Sequence, residues 1–431
     1  MKSQKMNAWT TKRQLEHSPL RFLQRFAESG FDALNVKFNK DQLFLHRLSQ
    51  EHIGAKVSFL DLEIKPDGPS HFLDQLASAK DLLFPLGEGS LELSTWLITL
   101  QRYLGVELTA YLEQKQKRSE RLERFLGDPI RWSVFYLSHG IDLRKAKRRQ
   151  DQQFISFLES LSPLLSKSLY RVMPLRLSAF NPHGYALRQK YKEISHVDPL
   201  KTLEHYFRQL EFCHQVVETL TWIIWCLDSS PQLLEKIRVE LNQTVRDEIY
   251  QTEHIRGLPI TLGVILETLR LAPPYWLCRW DTDQDLLLKR EIDEGLKIAI
   301  RDQFHLLSSP YLHHKDPLHW PSPQTFEPMR FQALSYGGSI PPRYYPLGPG
   351  ESGRNRLIVM VHSCVVILNS VLKRGKIKLS EQVDPSGSVS IQELSQWEIE
   401  SAVGVGFGSD KSLSGSIEFD ERFVYIPSAR I

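Results

Sequence analysis

Between Tyr345 and Leu357 the chain reads Tyr-Pro-Leu-Gly-Pro-Gly-Glu-Ser-Gly-Arg-Asn-Arg-Leu, and it then turns predominantly apolar as far as Leu372. Three glycines and two prolines in these thirteen residues argue against helix or strand interior. The spacing predicts a compact, bent loop that runs directly into a buried helix over 357–372. A backbone of this kind comes close to something flat or bulky, so the fold has to be built around this loop and the helix behind it.

Nothing in the remaining sequence divides the chain. At 431 residues, with 41% hydrophobic and 24% charged, it is long enough for two or three ordinary domains or for one large one, and no Gly/Ser-rich or Pro-rich linker divides it clearly. The expected layout is a single domain with a flexible start at 1–17 and a helix plus β-hairpin over 18–50. A helical core over 72–380 and a β-rich tail over 381–431 complete it. The net charge of +3 gives no bulk signal for nucleic acid. Cys213, Cys226, Cys278 and Cys364 lack C-x-x-C spacing and the start Met1–Lys5 is polar, which predicts a reducing, cytoplasmic setting. Apolar runs look shorter than the roughly 20 residues of a membrane-spanning helix, so no transmembrane segment is expected.

In chain order, Ser18-Pro19 opens a short amphipathic helix, and Ala33–Phe38 and Gln42–His46 read as two strands joined by a polar turn. From Phe72 to about Arg171 the pattern is helical, with breaks expected at Pro85-Leu-Gly-Glu-Gly and at Gly127-Asp-Pro. The charged run Gln114–Arg124 reads as a solvated helix face, or less simply as a docking face for an acidic partner. A long apolar helix over 203–227 stops at Leu227-Asp-Ser-Ser, and Pro231 starts the next one, to Leu241. The tail after Lys373 reads as small hairpins, among them Phe423–Ile426.

Three further segments carry a resemblance. The run Leu258–Pro274 contains Glu267 and Arg270 at Glu-x-x-Arg spacing, which puts both on one helix face. Phe326-Glu-Pro-Met-Arg-Phe331 follows, and between them lies Ser309–Phe326, rich in His, Trp and Pro. Together with the glycine-rich loop these segments resemble the cytochrome P450 superfamily: its Glu-x-x-Arg helix, its meander, and the loop that carries the cysteine ligand of haem. The resemblance spans about 18–380 and is strongest from 220 to 357. It implies a mainly α fold with a minor β region, in which Glu267, Arg270 and Arg330 form a structural charge triad.

The resemblance also shows departures. In the loop, Tyr345 and Gly348 match the family pattern, but Ser352 stands at the position of the haem-ligating cysteine, Gly350 at that of an arginine, and Arg354 at that of the last glycine. Trp96 is similar to the tryptophan of the family's Trp-x-x-x-Arg element, with Leu100 where the cation belongs and Arg102 nearby. On the central helix the acid and threonine that deliver protons fall at His214, Gln215 and Val216, while Glu218-Thr219 imitates the pair one turn later. That shift rotates a side chain by about 40° and moves it about 6 Å along the axis, so His214, Glu218 and Thr219 stay as catalytic candidates. Arg279 resembles the strand arginine that contacts a haem propionate. His313, His314 and His319 could suggest a metal, but in this context they read as loop packing.

A serine hydroxyl ionises far less readily than a thiol, so the thiolate chemistry of the family is absent at Ser352. One expectation is therefore a P450-fold pseudoenzyme with a degenerate haem site, without cofactor, which binds an apolar small molecule or assists a partner enzyme in small-molecule biosynthesis. The other keeps haem b, with Arg279, Trp96, Gly348 and Ser352 as its contacts, and catalyses a rearrangement, dehydration or peroxide-dependent reaction as a lyase, isomerase or peroxygenase. In the second reading His214 or Cys213 is an alternative ligand above the iron. Burial of a large macrocycle at about 25 cal/mol per Å² keeps that reading open.

Overall fold

The computed structural model describes residues 3–5, 33–38, 41–46, 72–85, 90–113, 122–140, 142, 144, 199–228, 230–246, 249–275, 278–281, 286–289, 297–300, 304–308, 310–317, 319–338, 340–341, 344–348, 350–374, 376–379 and 415–418. The architecture is mainly α with a minor β part. Strands β1 (Ser3–Lys5), β2 (Ala33–Phe38) and β3 (Asp41–His46) are joined by β9 (Phe304–Ser308) and β6 (Cys278–Asp281) in a five-stranded sheet of order β1-β2-β3-β9-β6. The hairpin β2–β3 has the register Ala33 opposite His46 and Phe38 opposite Asp41. Ser3–Lys5, in the stretch expected to be a flexible start, instead pairs in parallel with Ala33–Asn35. β7 (Leu286–Lys289) pairs with β8 (Lys297–Ile300). In the tail, β10 (Lys376–Leu379) pairs with β11 (Gly415–Glu418).

The helical body begins with α1 (Phe72–Ala77), followed by a hairpin of β4 (Leu83–Pro85) and β5 (Ser90–Glu92) at the expected break. Helix α2 (Leu93–Glu113) packs on α3 (Leu122–His139), and α3 packs on α4 (Pro199–Asp228). The break expected at Gly127-Asp-Pro does not occur, because all three residues lie inside α3. A Cβ at Gly127 would sit 3.6 Å from Val217 Cγ2 of α4, so the small residue lets the two helices approach. An Asp128–Arg131 ion pair and a bond of 2.7 Å from Ser133 Oγ to the Pro129 carbonyl hold the turn around the proline. Packing has overridden a local breaker here. The helix at 18–29, most of the run 114–124, the residues from 151 to 171, and Phe423–Ile426 lie outside the described residues.

Helix α4 buries Val216, Leu220, Ile223 and Leu227, a spacing of three and four that makes one apolar stripe. α5 (Pro231–Thr244) opens with Pro231 at its first position. α6 (Pro259–Leu271) is buried from Thr261 to Arg270. A Cβ at its Gly263 would come within 2.6 Å of the Pro328 carbonyl oxygen, so only glycine lets the 3-10 turn Pro328–Tyr336 lie against the helix. The short α7 (Pro310–His314) precedes the meander, and α8 (Gly350–Arg374) closes the core.

Helix α8 is apolar on nearly every side and is covered by α2, α4, α5 and α6, as a central core helix must be. Its span Ser352–Leu372 is 21 residues long with mean hydropathy 1.6, long and apolar enough to cross a membrane. This corrects the expectation that no run reaches that length. In the structure, 83% of an 18-residue stretch of it is buried against protein.

Candidate functional site

The loop ahead of α8 is held from outside. Tyr345 N–H donates to His314 Nε2 over 3.1 Å, and the Pro346 carbonyl accepts from Tyr275 N–H at 3.3 Å. Gly348, at φ 94°, takes the left-handed turn that other residues rarely adopt. A Cβ on Gly353 would collide with the Gly348 carbonyl oxygen, so α8 packs straight onto the turn. The bent segment therefore ends before Gly350, shorter than the loop expected from composition. Gly350 and Gly353 are helical because tertiary contact, not propensity, sets the boundary. Ser352 stands in the first turn of α8, exposed.

One helical turn of α6 organises the surroundings of this loop. Arg270, fully buried, uses its five N–H donors on five acceptors: Glu267 Oε2 at 2.8 Å, Glu267 Oε1 at 2.8 Å, and the carbonyls of His314 (2.8 Å), Pro323 (2.7 Å) and Thr325 (3.1 Å). Glu267 Oε1 also accepts from Arg330 Nε at 3.2 Å and from Glu327 N–H at 2.9 Å. Trp320 lies 5.3 Å from the Arg270 guanidinium. The buried charges are thus paired and fully hydrogen-bonded, and they tie α6 to the meander.

His314 joins this network to the loop. Its Nδ1 is 3.2 Å from the Arg270 carbonyl, and its ring stacks on Tyr344 at 5.3 Å, 17° between planes. Because Nε2 accepts from Tyr345, the proton sits on Nδ1. Among the described residues no group of three or more His, Cys, Asp or Glu side chains is placed to hold a metal. Here His314 packs the loop.

On the other side, Trp96 of α2 is fully buried and donates its indole N–H to Ser363 Oγ of α8 at 2.9 Å. Ser363 in turn donates to the Val359 carbonyl at 2.7 Å. Four residues beyond Trp96, Leu100 is fully buried in the apolar core, while Arg102 is exposed. Phe212 of α4 meets the Trp96 ring edge-on, centroids 5.6 Å apart.

The candidates His214, Glu218 and Thr219 all lie on α4. Thr219 is fully buried and spends its hydroxyl on the Gln215 carbonyl at 2.8 Å, a bond within its own helix. His214 and Glu218 are half-buried. Burial pushes the Cys213 thiol up to about 12, so it stays protonated. The Cys364 thiol of α8 is pushed higher by the same cause. Arg279 lies on β6, paired opposite Leu307 of β9, and its side chain is outside the described residues. Tyr275, beside the loop, accepts from Arg356 Nη1 at 3.0 Å. A cleft of about 130 Å³ between α6 and the 3-10 turn, lined by Pro259, Ile260, Met329 and Tyr336 among others, contains none of the predicted site residues.

One participant was missed in the sequence. Ser363 lies in an apolar helix and gave no signal beyond being polar there. His314 was read as loop packing and packs the loop, but its bond to Tyr345 depends on a turn that periodicity does not reveal.

The family model of cytochrome P450 matches residues 216–351, ending one residue before Ser352. Cytochrome P450 705A22 of Arabidopsis thaliana is 31% identical over 147 residues, 32% of this chain and 27% of that protein. Thromboxane-A synthase of Mus musculus is 34% identical over 143 residues, 32% of this chain and 25% of that protein. The chain thus matches only about a quarter of the length of these curated relatives. The crystal structure of CYP175A1 from Thermus thermophillus superposes with a TM-score of 0.54 at 17% identity, over 91% of this chain and 96% of that one. The chain thus has a cytochrome P450-like fold, and its residues 216–351 are similar in sequence to the cytochrome P450 family.

Proposed function

We propose that this chain is a P450-fold protein that has lost haem-thiolate chemistry and works by binding, taking an apolar small molecule or assisting a partner enzyme of small-molecule biosynthesis. The observation that carries this reading is the donor set around the loop. Haem held in the manner of the family asks for an anionic sulfur below the iron and cations or N–H donors at its propionates. Here the ligand position is the neutral hydroxyl of Ser352, and the position of one cation is Leu100 in the apolar core. The indole N–H of Trp96 is already spent on Ser363. Cys213 offers no thiolate from the other side, since burial keeps it protonated. The described donors do not fit the group, and Arg279, the remaining expected contact, has its side chain outside the described residues. A cytoplasmic setting accords with this reading.

The test is an absorption spectrum of the full chain, purified after expression with haem precursor. No haem band at stoichiometric intensity is the expected result. One haem per chain would reverse the proposal and favour the haem-retaining enzyme.

A further inference from the structure

The cleft between α6 and the 3-10 turn Pro328–Tyr336 lies outside the site described above. Its volume of about 130 Å³ is well below the roughly 300 Å³ at which small-molecule pockets begin. It is close to that of an apolar cavity of about 150 Å³ that holds one benzene. The cleft therefore has room for one ring. Seven residues line it, from Pro259 and Ile260 on α6 to Met329 and Tyr336 on the turn, and none is charged. Its walls are fixed before anything binds. Gly263 lets the Pro328 backbone lie against α6, and just past Tyr336 the Gly338 N–H donates to the Ala333 carbonyl at 2.8 Å. A preformed cleft loses little conformational freedom when it is filled.

The same patch also carries a projecting ring. Tyr336, at 82%, is the most exposed large apolar side chain among the described residues, and Met329 in the same lining is 53% exposed. A ring that rises from the edge of its own cleft suits two-fold exchange, in which each copy supplies both knob and hole. Charge separates a copy from an unlike partner. Across a two-fold axis an unpaired charge near the axis meets its own kind, so a self-docking face has to be uncharged or internally paired. Here the lining is uncharged, and the charged residues of the turn, Arg330 and the capping Glu327, pair with each other at 3.0 Å. Tyr and Met are also residue types that interface centres favour, while charge is depleted there. We propose that this face docks a second copy of the chain, with Tyr336 of each copy filling the cleft of the other.

The experiment is sedimentation velocity of the full chain over a wide range of loading concentrations. A reversible equilibrium of monomer and dimer is expected. Tyr336→Ser removes the knob and Met329→Glu charges the hole. Each should weaken dimerisation at least about tenfold, with an unchanged circular dichroism spectrum because both side chains are exposed. The two variants mixed in equal amounts should regain dimer that neither forms alone. In the mixed pair one intact Tyr336 meets one intact cleft, whereas each variant paired with itself has lost both contacts. A monomer at every concentration overturns the second copy as occupant and leaves the face to an unlike protein. A dimer indifferent to both variants, or no recovery in the mixture, overturns this seating of Tyr336. Growth past the dimer overturns the two-fold arrangement, because a head-to-tail contact does not close at two copies.

Discussion

Tyr250 places its hydroxyl 2.7 Å from His362 Nδ1, and His362 Nε2 lies 3.1 Å from the Leu76 carbonyl. The imidazole therefore carries its proton on Nε2, donates to Leu76 and accepts from Tyr250. One ring joins α1, the segment before Thr252, and α8. Burial raises the Tyr250 hydroxyl well above its ordinary range, which keeps it a donor.

Burial also pushes His362 down to about 4, from an ordinary value of 6.5. The unfolded chain then takes up a proton at pH values where the folded chain does not. The contribution of this histidine is complete above about pH 6.5 and is lost as the pH falls toward 4, with a ceiling on the order of 3 kcal/mol. Chemical denaturation between pH 7.5 and about 4.5 should show this loss, and His362→Gln should flatten that part of the profile. An unchanged pH slope in the variant would remove His362 as the cause.

Truncation of Arg270 is expected to be severe. Arg270→Ala takes from Glu267, at zero exposure, its two-point cation, leaving it Arg330 and the Glu327 N–H, and leaves three meander carbonyls without their donor. The expected loss is about 3 to 5 kcal/mol in a denaturant melt. Arg270→Lys should recover little, because an ammonium cannot serve five acceptors arranged around a planar fork. An unchanged melting temperature for the alanine variant would mean that the network is not a folding element.

The contact between Trp96 and Ser363 makes an asymmetric pair of variants. Ser363→Ala leaves the indole N–H buried without an acceptor and should cost about 1 to 3 kcal/mol. Trp96→Leu also removes ring packing on Phe212, whereas Trp96→Phe keeps an aromatic ring there and leaves Ser363 bonded to Val359. A double-mutant cycle over Trp96→Phe and Ser363→Ala should show coupling of about 0.5 kcal/mol or more. Strict additivity would argue that the bond contributes nothing to stability.

On the proposed reading, a thiol at position 352 alone should not confer oxygen chemistry. Ser352→Cys supplies a sulfur where the resemblance places the family's cysteine, while Gly350, Leu100 and Val216 stand where it implies further functional groups. Product analysis by mass spectrometry, with a reductant and a panel of apolar substrates, should find no hydroxylation. Efficient turnover by this single variant would show that the rest of the site is competent.

Local chemistry determined much of this protein. The three-and-four spacing of α4, the apolar span of α8, the strand pair Ala33–Phe38 with Asp41–His46, and the single-turn separation of Glu267 and Arg270 all rest on periodicity, which acts over a few residues. The link from Glu267 to Arg330 was legible only through the motif, since 63 residues separate them. Other features were decided by tertiary structure. The proline-containing α3 continues because Gly127 meets Val217 of α4, and α8 begins at Gly350 because Gly353 packs on the Gly348 carbonyl. The partner of Trp96 lies 267 residues away. In each case the energy comes from close packing or a hydrogen bond between elements distant in sequence, and it outweighs local preferences worth at most a few kcal/mol.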